Sequence, residues 1–112
     1  MSTPQDAGLR LEIEKTSDPA GGNLTTVKCH GRLIAETGAE IKDAVKPLIP
    51  LGGRIVLDMA DLNYLDSSGL GTLLGLKASA IKQGYCTLEL VNVTPRIMEL
   101  LRLTSLTQFF SN

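Results

Sequence analysis

The sequence predicts a single α/β domain: a mixed β-sheet with an N-terminal antiparallel hairpin and helices packed against it. Two observations carry this. Residues 9–15 (LRLEIEK) and 24–31 (LTTVKCHG) alternate apolar and polar side chains on either side of TSDPAGGN, a run dense in turn formers, which reads as a hairpin. Beyond the hairpin, helix-like and strand-like patterns take turns to the end of the chain, which implies a mixed sheet covered by helices.

Each element has its own signal. In the first strand Leu9, Leu11 and Ile13 share one face and Arg10, Glu12 and Glu14 the other; in the second, Thr25, Val27 and Cys29 share a face. Thr37 and Glu40 have the spacing of a capping box, and Ile41, Ala44, Val45 and Leu48 follow at helical spacing. Pro47 falls in the last turn of that helix, and Pro50 with Gly52–Gly53 ends it. RIVLD (54–58) is apolar without alternation, the pattern of a central strand covered on both faces. A short loop leads to a helix over 67–83 with Leu70, Leu73, Leu74 and Ile81 in its apolar pattern and Gly84 as its C-terminal cap. YCTLELVNV (85–93) is the last strand. Thr94 then caps a helix that opens on Pro95 and carries Ile97, Met98, Leu100 and Leu101. Leu106, Phe109 and Phe110 in the tail are expected to pack back on the core. Residues 1–7 read as a disordered N-terminus and 8–112 as one domain.

Composition narrows the function classes. The chain has 112 residues, 43% apolar and 21% charged, enough to bury a core without disulfide or metal staples. Its net charge of −1 and its lack of basic runs give no reason to expect nucleic acid or an anionic membrane as partner. Cys29 and Cys86 lie far apart in strand-like runs and read as buried small hydrophobes in a reducing compartment. One histidine and no CxxC pair leave a zinc site without ligands, so no metal and no cofactor are expected. There is neither a signal-peptide pattern after MSTPQDAG nor an apolar run approaching a membrane span of ~20 residues, so the expected location is cytoplasmic.

The stretch LDSSGLGTLLG (65–75) is the anomaly. It places Gly69, Gly71 and Gly75 at the start of an apolar helix, where each glycine costs roughly 1 kcal/mol against alanine. The simplest reading makes Asp66, Ser67 or Ser68 a helix N-cap, which leaves the glycines unexplained. Close packing on the sheet would account for one or two of them. Gly71 and Gly75, four apart, share a helix face that would let another backbone approach, from this chain or a partner. The spacing fits a GxGxxG nucleotide fingerprint poorly, and no GxxxxGK[ST] occurs. A nucleophile elbow would need a glycine where Leu65 or Asp66 stands, and His30, on the polar face of a strand, is the only histidine. The chemistry that fits is a phosphorylation switch. A serine at a helix start is exposed, phosphate there adds about −1.5 to −2 charge, and the helix N-terminus tolerates an anion. Beside Asp66 that charge would repel a docked partner while the fold survived.

IVLDMADLNYLDSSGLGTLLGL (55–76), with LELVNVTPRIMELLRLTSL (88–106) and GRLIAETGAEI (31–41), resembles the STAS domains, named for sulfate transporters and anti-sigma factor antagonists. The resemblance covers nearly the whole chain and implies the STAS-like fold. It departs at Ser105, where the family often has glycine, a change that touches a turn. As a free-standing chain with a double serine, it is most similar to the bacterial anti-sigma factor antagonists. The resemblance implies partner switching: the antagonist binds an anti-sigma factor and frees a sigma factor, the anti-sigma factor is itself a serine kinase that dissociates the complex by phosphorylating the antagonist, and a phosphatase resets it. It places the phosphoacceptor at Ser68, with Ser67 the second choice, and a partner-binding surface at Asp58, Asp66, Ser67, Ser68, Gly69, Gly71 and Thr72. The helix 67–83 would be the docking face, with Thr72 and Lys77 more outward. No catalytic residues are expected. The alternative is a STAS adaptor subunit of a stress-signalling complex or of a membrane lipid transporter, without phosphorylation control. A small-ligand or nucleotide sensor is a third reading.

Overall fold

The alternation at 9–15 and 24–31 becomes the hairpin it predicts: β1 (Leu9–Ser17) pairs antiparallel with β2 (Asn23–Leu33). The chain continues through α1 (Gly38–Val45), β3 (Gly53–Leu65), α2 (Ser67–Gln83), β4 (Cys86–Val91) and α3 (Pro95–Leu103). In this computed structural model residues 8–110 are described, without the Phe109 side chain, so the 1–7 segment and the Phe109 contact lie outside the described residues. The sheet order is β1-β2-β3-β4, with β2–β3 and β3–β4 parallel.

Register explains the core. Ile13, Val27, Leu57 and Leu90 are cross-strand neighbours in one row, and Thr25, Ile55 and Leu88 in the next. Val27, Ile55, Leu57 and Leu88 on this face are buried, together with Ile41 and Val45 of α1, Leu73 and Leu76 of α2, and Ile97 and Leu101 of α3. At roughly 1.5–3 kcal/mol for each large apolar side chain, this layer dominates stability. The other face carries Arg10, Glu12, Lys28, His30, Arg54, Asp58 and Glu89 in register. There Arg54 forks onto Glu89 at 3.1 and 3.2 Å, while Val56 is buried among these polar neighbours. The lack of alternation in RIVLD therefore reflects one well-covered apolar residue on a polar face, not helices on both faces.

Several sequence expectations are corrected. β3 runs on to Leu65 with only Asp66 before α2, so the expected loop is strand. β4 is shorter than 85–93, because Tyr85, Asn92 and Val93 lie outside its pairing with β3. Thr37 does not box with Glu40: its hydroxyl accepts from Ile34 N (3.0 Å) and donates to Arg32 O (2.8 Å), closing a 3-10 turn behind α1. Pro47 lies beyond α1, in a 3-10 segment over Lys46–Leu51. The buried stripe of α2 is Leu70, Leu73, Leu76, Lys77 and Ala80, whereas Ile81 is exposed. Lys77, expected outward, is thus buried. It occupies the stripe one turn past Leu73, and its long stem carries Nζ to Leu88 O at 2.8 Å. Met98 is largely exposed. Thr94 and Pro95 start α3 and Gly84 ends α2 in the left-handed conformation, as expected.

Candidate functional site at the start of the second helix

Asp66 is the cap. Its Oδ1 accepts from Gly69 N at 2.8 Å and its carbonyl accepts from Leu70 N at 2.9 Å, which starts α2. The end of β2 fixes the same point: Asp66 N donates to Leu33 O at 3.4 Å. That carbonyl also explains Gly69. A Cβ there would lie 2.1 Å from Leu33 O and 2.8 Å from a Leu65 methyl, so only glycine lets α2 settle on the sheet. Leu33 is the anchor that sequence reasoning missed, since nothing in a β-strand pattern marks the strand end a later helix will touch.

With the cap and the close approach assigned, Ser67 and Ser68 are left exposed in the first turn. Ser68 opens onto a groove of about 660 Å³ between α1 and α2. Thr72 lies on the same wall and donates its hydroxyl to Ser68 O at 3.1 Å. Gly71 and Gly75 also line the groove, and a Cβ on either would meet nothing within 4 Å. Among the described residues none makes the close approach their spacing suggests. The facing wall, with Ala39, Lys42 and Lys46, also escaped the sequence reading. Its signal is the i, i+4 lysine pair, Lys42 on α1 and Lys46 just past its end, but no local pattern shows that it faces α2.

The structure thus brings Ser68, Gly71 and Thr72 together and leaves Asp58 apart. Asp58 sits eight residues upstream of Asp66, roughly 25 Å along an extended strand. It lies on the polar face, in a hollow with Lys28, His30 and Asp61. Between Lys28–Asp58 and His30–Asp61 the β2–β3 register shifts by one residue. Asp58 Oδ1 bridges this bulge, accepting from Ala60 N at 3.0 Å and from Asn92 Nδ2 at 3.1 Å. The Ala60 N–H first, then Asn92, holds its carboxyl below the ordinary 3.8. Those bonds account for an aspartate at this position. His30 pairs with Asp61 of β3, Nδ1 lying 2.7 Å from Oδ2, and its Nε2 lies 3.3 Å from Glu12 Oε1 of β1.

Both cysteines are free and buried, and burial pushes the Cys29 thiol up to about 12, which leaves it unreactive near neutrality. Among the described residues no cluster of three or more His, Cys, Asp or Glu could hold a metal ion, and no helix is long and apolar enough to cross a membrane.

A family model described as "Mlab, STAS domain" matches residues 17–111. The chain belongs to the STAS-domain family. Among its relatives are a STAS-domain containing protein of Pseudomonas aeruginosa, 30% identical over 91 residues (81% of this chain, 89% of the relative), and an anti-sigma-B factor antagonist of Staphylococcus aureus, 30% identical over 99 residues (88% of each). The fold matches the anti-sigma factor antagonist SpoIIAA in its unphosphorylated form, with TM-score 0.71 and 18% identity over 89% of this chain and 84% of the other. It also matches an anti-sigma factor antagonist from Mycobacterium paratuberculosis, with TM-score 0.71 and 20% identity over 99% of this chain and 88% of the other. The expected STAS fold and family are therefore both found.

Proposed function

We propose that this STAS domain is a cytoplasmic anti-sigma factor antagonist that works by binding, not catalysis, and that phosphorylation of Ser68 switches it off. Its partner on this reading is an anti-sigma factor that is also a serine kinase; a phosphatase restores binding. The observation that carries it is Ser68 itself, exposed in the first turn of α2 at the mouth of the groove while Asp66 supplies the cap. A phosphate there would not remove the bond that starts the helix. Ser67 is exposed too but does not line the groove, so Ser68 is the better placed of the two. SpoIIAA in its phosphorylated form has the same fold (TM-score 0.68 over 89% of this chain), which supports a switch acting on the interface and not on the domain.

Phosphate adds about −1.5 to −2 charge two residues from the Asp66 carboxylate. A partner surface that fits the neutral serine then meets both bulk and repulsion. The test starts from native protein isolated in growth and under stress with phosphatases inhibited, with phosphate mapped by peptide fragmentation. A single phosphate on Ser68 that changes with condition is expected. Ser68→Asp should weaken anti-sigma binding at least tenfold and Ser68→Ala should bind constitutively; phosphate on the alanine variant would move the site to Ser67 or elsewhere.

One second reading keeps the STAS fold that the family match shows and makes the domain an adaptor subunit of a membrane lipid transporter. Absence of phosphate in every condition, with a transporter component copurifying, would decide for it.

A further inference from the structure

We propose that the α1–α2 groove receives an acidic helix of the partner protein, with carboxylates one turn apart that meet Lys42 and Lys46. This rests on the partner-binding reading above and extends it from Ser68 to the surface beside it.

Three features converge. The first is length and shape. Ser68, Gly71, Gly75 and Ser79 line the groove along α2, a span of twelve residues or about 16 Å of helix, which matches three turns of a docked helix. Small side chains along that wall let a second backbone come close. The second is that the fold does not need those glycines. Gly69 is pinned by Leu33 O, but Gly71 and Gly75 face open space and carry ordinary helical φ. Each costs the helix interior roughly 1 kcal/mol that no contact among the described residues recovers.

The third is charge. Among the described residues that line the groove, Lys42 and Lys46 are the charged ones and none is a carboxylate, in a chain whose net charge is −1. Both are exposed, and neither makes an ion pair among the described residues. Their i, i+4 spacing asks for carboxylates at the same spacing on a helix lying alongside. Ser68 at the groove's end gives the arrangement a consequence. A phosphate there competes for the field of the lysines and repels the incoming acidic helix, so one modification acts on the whole docking surface.

The test is site-specific photo-crosslinking in the native host. The full chain carries p-benzoylphenylalanine in place of Ala39, an exposed wall residue, and the captured peptide is sequenced by mass spectrometry. Expected is a peptide with Asp or Glu pairs at i, i+4, a crosslink lost in Lys42→Glu/Lys46→Glu, and its return when the partner's pair is changed to lysine. Gly75→Leu, which fills the groove, should weaken binding of the purified partner at least tenfold. A crosslink to a second copy of this chain, to a segment without acidic pairs, or to nothing overturns the proposal, as does a crosslink that survives the lysine reversal. Melting temperature checks that the variants fold. Loss with the lysine reversal but not with Ser68→Asp would sink the phosphorylation reading and keep the groove; the opposite pattern would sink the groove alone.

Discussion

Asp58 and Ser105 show how much a single position reveals about why a residue is there. Asp58 holds the β3 bulge through Ala60 N and Asn92 Nδ2, and its folded pKa lies below 3.8. A depressed folded value means that the ionised carboxylate favours the native state. Its contribution is full above the unfolded value and is lost as pH falls through the lowered folded one. Melting temperature followed from about pH 5 to about pH 3 should therefore fall more steeply in the wild type than in Asp58→Asn. Parallel curves would mean that the side chain adds nothing to the bulge. Ser105 sits at φ +59, the left-handed region where a side chain is strained and glycine is not. Ser105→Gly should raise stability by about 0.5–1 kcal/mol, read from chemical denaturation; a loss would mean that glycine's extra freedom in the unfolded chain outweighs the relief.

At the scale of the element, α2 contains glycines of two kinds. Gly69 lies where β2 ends, and an alanine methyl would drive into the Leu33 carbonyl, a backbone atom that cannot rotate away. Gly69→Ala should cost about 1–3 kcal/mol, the usual range for overpacking, and loosen the start of the helix. Gly71→Ala should instead stabilise the domain by up to about 1 kcal/mol, because the methyl points into open groove and alanine is the better helix former. Denaturant unfolding of the two variants reads the contrast directly. Equal destabilisation would show that the groove is filled by this chain's own motions. Stabilisation together with weaker partner binding is what a glycine serving an interface produces.

Across the whole molecule, the layer between sheet and helices carries the stability and the Ser68 surface stands outside it. Among the described residues eleven large side chains are fully buried, and each of the large aliphatic ones contributes more than the ~1 kcal/mol of a typical cap. An added charge on an exposed first-turn serine should hardly affect this layer. Ser68→Asp is therefore expected to melt within a few degrees of the wild type while it loses its partner. A large drop in melting temperature would turn the switch into an unfolding event.

The sequence by itself determined the hairpin, the order of strands and helices, the Gly84 cap that ends α2, the Thr94 cap that starts α3 and the serine pair at a helix start. All of these rest on contacts within a few residues or on side-chain period. Only the tertiary structure decided which glycine is structural, that Lys77 turns inward to Leu88 O, that Thr37 closes a turn behind α1, and that Asp58 belongs to the polar face and not to the groove. It also supplied the Lys42–Lys46 wall. The reason is common to all of them. Each depends on what a distant element places opposite the residue: the Leu33 carbonyl for Gly69, β4 for Lys77, β2 for the bulge at Asp58, and α2 for Lys42 and Lys46. Local pattern sets the face a side chain occupies, and packing alone sets what that face meets.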